Sequence, residues 1–173
     1  MIATRRGPGA TGSDDGYSFG VDSTINPLEQ LAINGYWAGT SGASGTSVSD
    51  RSSYRGNVTW NADHTGFQVE HMFLGDQFNP EIGFLRRAAF RRTYGQARYS
   101  PRPARWQTVR KFYYESSYDY FEDRQGRPES REATAAYRME LSNGDQWASE
   151  YSSAYENLKV PFRVTPGVLV PAG

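Results

Sequence analysis

The sequence predicts an all-β protein: an antiparallel, up-and-down meander of about eight strands that forms part or all of a transmembrane β-barrel. Three observations lead there. Side chains alternate across an extended strand with period two, and several stretches of this chain sort residues by that parity. Tyr and Trp gather near the ends of those stretches. Short and long connections alternate between them, as tight turns and longer loops do in outer-membrane barrels.

The clearest stretch is 111–121. Phe112, Tyr114, Ser116, Tyr118 and Tyr120 fall on one face, and Lys111, Tyr113, Glu115, Ser117 and Asp119 on the other. Residues 133–141 set Ala133, Ala135, Tyr137, Met139 and Leu141 against Thr134, Ala136, Arg138 and Glu140. Residues 146–155 set Trp147, Tyr151 and Tyr155 against Gln146, Glu150 and Ser152. Residues 17–25 set Tyr17, Phe19, Val21 and Ile25 against Ser18, Asp22 and Thr24. Taken in order, the expected strands are 16–25, 29–40, 53–61, 66–74, 90–100, 108–121, 130–141 and 145–156. Residues 1–5 read as the tail of an earlier strand. The links 26–28 and 62–65 read as short, with 101–107 compact around Pro101 and Pro103. The links 41–52, 75–89 and 122–129 read as long. Asn143-Gly144 predicts a type I′ hairpin, whose central residues need positive φ. Residues 157–173 read as a long loop or tail, so 1–173 is one barrel domain or barrel fragment. Tyr17, Trp37, Trp60, Tyr99, Trp106, Tyr120, Trp147 and Tyr155 stand where interfacial aromatic girdles would lie.

Composition agrees with that reading. Hydrophobic residues make up 37% of 173 and aromatics 14%, with 12 Tyr and 4 Trp. That is poor material for a Val, Ile and Leu core, and suits a closed sheet with an aromatic outer face and a wet interior. The 18 Gly and nine Pro fit many turns. Net charge is zero, so no overall field draws in nucleic acid. The aromatics are also segregated from the basic residues by parity, which argues against nucleic acid as a partner. Only Lys111 and Lys159 are lysines; the other cations are arginines, suited to fixed multidentate pairs. There is no cysteine, so no disulfide and no thiolate metal site. No apolar run reaches the roughly 18 residues of a membrane-crossing helix. The first fifteen residues lack the apolar region of a secretory signal.

Candidate chemistry is sparse. His64 falls in an expected tight turn and His71 on an apolar parity, without a second ligand at metal spacing. No cofactor motif and no catalytic residue is identified. Glu70, Glu115, Asp119, Glu140 and Glu150 take the polar parity, where Arg55, Arg92, Arg98 and Arg138 can neutralise them. Paired carboxylates could alternatively serve glycoside hydrolysis. Arg86 and Arg87 in the long loop, with Arg91 and Arg92, have two readings. They could bind an anionic sugar or a lipopolysaccharide phosphate. Alternatively the loop plugs the lumen, with Phe78, Ile82 and Phe84 inward and the arginines on wall carboxylates; the plug is preferred. The candidate ligand-binding or lumen residues are therefore Arg86, Arg87, Arg91, Arg92, Glu115, Asp119, Arg138, Glu140 and Glu150.

One stretch, Gly75-Asp76-Gln77-Phe78-Asn79-Pro80-Glu81-Ile82-Gly83-Phe84-Leu85-Arg86-Arg87-Ala88-Ala89-Phe90-Arg91-Arg92, resembles the "G-x-x-F-x-P-x-x-G-F-x-x-R-x-x-x-R" segment of a bacterial outer-membrane barrel family, the family of unknown function 5916. Gly20-Val21-Asp22, Ser100-Pro101-Arg102-Pro103, Glu129-Ser130-Arg131-Glu132, Asn143-Gly144-Asp145 and Pro161-Phe162-Arg163-Val164-Thr165-Pro166-Gly167-Val168 resemble it too, in the same order. Proteins of that family usually carry, ahead of the barrel, a periplasmic domain like carbohydrate-binding module family 9. The resemblance implies an outer-membrane location, lipid as a partner, and a link to oligosaccharide or lipopolysaccharide. The chain lacks that leading domain and a signal peptide, and ends without the terminal aromatic strand. It is therefore expected to be an internal piece of a longer barrel, closing alone or forming an arc. Two other functions remain open: part of a carbohydrate-active protein, or a soluble lipocalin-like barrel binding an apolar ligand. Alternation alone does not say which face is inside.

Overall fold

The computed structural model describes residues 1–6, 16–41, 47–79, 89–158, 161–165, 167–170 and 172. Nine strands make one sheet: β1 (Ile2–Arg6), β2 (Gly16–Leu28), β3 (Leu31–Thr40), β4 (Ser52–Asn61), β5 (Thr65–Leu74), β6 (Phe90–Tyr99), β7 (Val109–Glu122), β8 (Pro128–Leu141) and β9 (Gln146–Glu156). They are hydrogen-bonded strictly in chain order, and every pairing is antiparallel. The all-β antiparallel meander expected from parity is therefore observed. β10 (Phe162–Thr165) and β11 (Val168–Val170) form a separate two-stranded sheet. This hairpin stands where the sequence suggested only a loop or tail. Gly167 supplies its turn, at φ +101°.

Local chemistry explains where the boundaries moved. The sequence suggested a first full strand ending at 25 and a short link at 26–28. The strand instead continues to Leu28 through an irregularity between Ile25 and Leu28, which is where a sheet tolerates proline. The tight turn then falls at Glu29 and Gln30. The β8–β9 turn also differs from expectation. Gly144 has φ +93°, but Asn143 does not have positive φ, so the turn is not type I′. The Gly144 amide donates to the Leu141 carbonyl, and the Leu141 amide to the Asp145 carbonyl. The Asn143 side chain accepts from the Asp145 amide at 3.0 Å, the local bond that suits Asn to turns. The β7–β8 turn repeats the device, with Gly126 at φ +76° and the Asp123 carboxylate accepting from the Gln125 and Arg127 amides.

The expected alternation of short and long links holds over the first strands and then breaks. The link 123–127 is tight, whereas 100–108, on the opposite end of the sheet, is the longer of the two. Turn chemistry at Asp123 and Gly126 is enough to close a charged segment that composition alone reads as a long loop.

Buried apolar side chains sit mainly at the two ends of the sheet. Leu74 and Phe90 face each other across β5 and β6 near the long 75–89 connection, and Phe90 meets the Phe121 ring at 5.6 Å. At the other end Phe112 is buried against Trp106 and Tyr137. Both clusters are small, so among the described residues most of the sheet has no apolar core on either side.

Candidate functional site: a two-faced sheet with an ion-paired face

Residues opposite one another in an antiparallel ladder share a face. Following the register from β2 to β9 therefore assigns every strand residue to one of two surfaces. One surface is aromatic and aliphatic. A row through its middle reads Ile25, Ile33, Val58, Val69, Gly95, Tyr118, Ala133 and Ser153. Near the short-turn end the rings of Tyr99, Tyr114, Tyr137 and Trp147 form a chain with centroids 6.3, 5.2 and 5.3 Å apart. Near the other end stand Phe19 with Trp37 and Tyr54 with Phe73. Between these belts lie small residues such as Gly56, Gly95, Ala97, Ser116 and Ala135. A Cβ added at Gly56 or Gly95 would meet open space, so packing within the chain does not demand glycine there.

The opposite surface is polar, and at its centre the charges are consumed in one network. Glu70 is 3% exposed. Its carboxylate accepts from Arg55 Nε at 2.8 Å, from Arg92 Nη1 at 2.8 Å and from Asn57 Nδ2 at 3.4 Å. Arg92 then turns its fork onto Asp119, with Nε and Nη2 donating to the two carboxylate oxygens at 2.8 and 2.7 Å. A planar guanidinium is the group that can serve two carboxylates at once. Its other surroundings are the rings of Tyr94 and Phe121, 5.2 and 5.5 Å from the guanidinium carbon. Arg138 lies over the Tyr113 ring at 3.9 Å, a cation–π contact between directly paired residues.

The expected site residues separate accordingly. Arg92 and Asp119 come together in the central network. Arg138 shares their face but stacks on Tyr113, and it forms no ion pair with a described residue. Glu140 pairs with Arg110 at 2.9 Å. Glu115 and Glu150 lie on the polar face, one strand apart across Ala136, and form no ion pair with a described residue. Arg91 takes the other face: its ladder neighbours are Phe73 and Glu122, and it pairs with Glu122 at 3.3 Å. One residue of offset from Arg92 flips a side chain across the sheet, so Arg91 is not part of the polar wall. Arg86 and Arg87 lie outside the described residues, as do Ile82 and Phe84 of the expected plug. The described start of that loop folds onto its neighbour: the Gly75 amide donates to the Ser52 carbonyl and the Gln77 amide to the Asp50 carbonyl. His71 lies on the aromatic face, its Nδ1 3.1 Å from Thr93 Oγ1.

Arg98 is a role the sequence did not reveal. Parity offered it to a wall carboxylate, yet it bonds to the neighbouring turn. Its Nη1 donates to the Asp63 carbonyl at 3.2 Å and to Ser100 Oγ at 2.6 Å. Its Nη2 donates to Asn61 Oδ1 at 3.0 Å and to the Ala62 carbonyl at 2.6 Å. It thereby ties down the Ala62 and Asp63 carbonyls of the 62–64 turn.

Two further clusters join loops, where strand parity carries no information. At the short-turn end Asp63 holds Arg102, with Lys111 Nζ at 3.5 Å. The Arg102 guanidinium, more than anything else, lowers the Asp63 carboxyl to about 2. A folded-state value below the unfolded one means stabilisation that is full above pH 4 and lost as pH falls through 2. Asp63→Asn should therefore flatten the acid limb of the stability curve between pH 4 and 2, read by urea unfolding at each pH; unchanged curves would show the pair contributes nothing. At the opposite end Arg124 bonds to Asp50 and, at 2.7 and 2.8 Å, to both oxygens of Asp76. That guanidinium staples together three connections that lie far apart in the chain.

Comparison with models of protein families, with curated proteins and with solved structures finds no match to this chain.

Proposed function

We propose that this chain is part of the wall of a bacterial outer-membrane β-barrel, a membrane scaffold or pore with lipid on its aromatic face and water on its ion-paired face. The observation that carries this reading is an inversion of exposure. In a water-soluble sheet the apolar face is the buried one. Here Tyr99, Tyr114, Tyr118 and Tyr151 are 45–69% exposed, while Glu70, Asn57 and Ser53 on the other face are 1–4% exposed. A sheet that buries Glu70 at the centre of one face and leaves these four tyrosines bare on the other suits surroundings that are apolar outside and polar inside. The dimensions agree. Val109 to Glu122 spans about 43 Å along β7 at roughly 3.3 Å per residue, which at a tilt of about 40° rises about 33 Å, enough to cross an apolar band of about 25 Å.

A soluble lipocalin-like barrel would enclose the tyrosines around an apolar ligand and expose the ion pairs, the reverse of this distribution. A hydrolytic role has less support as well. Glu70 and Asp119 are held by arginines, and the geometry that glycoside hydrolysis needs leaves one carboxyl free to give up a proton. The glycan link, with oligosaccharide or lipopolysaccharide as the expected partner, rests on the sequence resemblance alone.

A solvent-access map tests the proposal. Single cysteines replace Tyr114, Tyr118, Tyr137 and Tyr151 in one set and Glu115, Asp119, Arg138 and Glu150 in another, with no native cysteine to interfere. After reconstitution, fluorophores on the tyrosine set should be quenched from the lipid phase, and the charged set should react with a water-soluble thiol reagent. Protection of the tyrosine set from both agents would overturn the membrane reading.

A further inference from the structure

We infer that β9 is a self-complementary edge through which two copies of this chain pair. β9 closes the strand order, and among the described residues it is hydrogen-bonded only to β8. All eleven of its residues are exposed. Its ladder runs from Ser130↔Glu156 to Glu140↔Gln146 without the register shifts that interrupt β2–β3 and β7–β8. Edge strands are normally protected by proline, lysine, bulges or shortness. β9 has none of these, and its only charges are Glu150 and Glu156, so among the described residues it offers a straight row of backbone donors and acceptors.

The sequence of β9 selects the partner. It reads Gln146-Trp147-Ala148-Ser149-Glu150-Tyr151-Ser152-Ser153-Ala154-Tyr155-Glu156, nearly the same from either end about Tyr151. Antiparallel pairing with a second copy about a two-fold axis at Tyr151 sets Ser149 against Ser153, Ala148 against Ala154 and Trp147 against Tyr155. On the polar face Glu150 meets Ser152 and Glu156 meets Gln146, so no carboxylate faces another. Moving the axis to residue 150 would set Glu150 on Glu150, a destabilising like-charge pair. Moving it to residue 152 would lose the Trp147–Tyr155 pairs. An axis normal to the sheet keeps both aromatic faces on one side and makes an isologous contact. It also turns one copy end over end, so this is the pairing of the chain in water or detergent, in which the β9 edge is occupied before any other strand can add to it. The inference is independent of the membrane reading.

Cysteine placement reads the register directly. In detergent solution, Tyr151→Cys should give a disulfide-linked dimer on mild oxidation, because facing Cα atoms lie about 4.5–5.5 Å apart and a disulfide spans that distance. Ser149→Cys and Ser153→Cys should each stay uncrosslinked alone and cross-link to one another when mixed. Self-association measured by analytical ultracentrifugation should weaken about tenfold in Ser152→Glu, which sets two carboxylates opposite Glu150 in each dimer, and tighten in Ser152→Lys. A Tyr151→Cys protein that stays uncrosslinked would overturn the inference. So would Ser149→Cys pairing with itself as readily as with Ser153→Cys, or an association indifferent to charge at 152. None of these readouts depends on lipid.

Discussion

Glu70→Ala is expected to be the most damaging single substitution in the sheet. Glu70 is buried and its carboxylate is the shared acceptor for Arg55, Arg92 and Asn57. Breaking a buried pair by removing one partner leaves an uncompensated charge and costs about 3–5 kcal/mol. Arg55 and Arg92 keep partial access to water, which places the expected loss at the lower end, about 3 kcal/mol. The loss would appear as a lowered urea midpoint for the chain in its own detergent or lipid. Arg55→Met tests the same network from its cationic side. It leaves Glu70 its bond to Arg92, so its cost should be clearly smaller. Equal costs for the two variants would mean that Glu70 acts through packing and not as the shared acceptor.

Val69→Arg carries the second large effect, and it is conditional on the surroundings. Val69 sits in the middle row of the aromatic face, and Gln68 beside it points to the polar face. An arginine on the lipid face of a transmembrane barrel costs about 2–4 kcal/mol near the midplane. Gln68→Arg, one residue away, should stay within about 0.5 kcal/mol, as exposed polar substitutions usually do. The comparison is made by unfolding both variants from bilayers. Near-equal stabilities would remove lipid from the aromatic face, and with it the proposed membrane role.

Most of the strand pattern was legible in the sequence because one physical rule governs it. A side chain's face follows from its parity, so Tyr114 and Glu115 could be separated without coordinates. Parity also placed Glu70, Arg55, Arg92 and Asp119 on a common surface. It could not say that Arg92 would bridge two carboxylates, because that depends on which strands are neighbours. The failures lie where backbone geometry is set by something other than alternation. The link expected at 26–28 is strand instead, because a ladder irregularity absorbs Pro27. Asn143-Gly144 reads as a two-residue turn until the Asn side chain stabilises a different one. Arg98 has the parity of a wall residue, but the carbonyls of the 62–64 turn compete for it and win. Asp50, Asp76 and Arg124 sit in connections, where no periodicity constrains a side chain.

The staple at Arg124 bears on how the chain reaches this arrangement. Its partners are 74 and 48 residues away in sequence, whereas the turns at 29–30, 62–64 and 142–145 bring together residues only a few positions apart. Closing a long loop costs more entropy than closing a short one, and contacts between distant positions slow folding. Hairpins should therefore zip first from the short-turn end, and the three connections should be joined only after β4 to β7 have aligned. An interaction made that late is absent from the rate-limiting barrier. Weakening it should leave the folding rate almost unchanged and make the folded chain come apart faster. Arg124 would then act as a lock on the finished sheet, setting its lifetime and not its speed of formation.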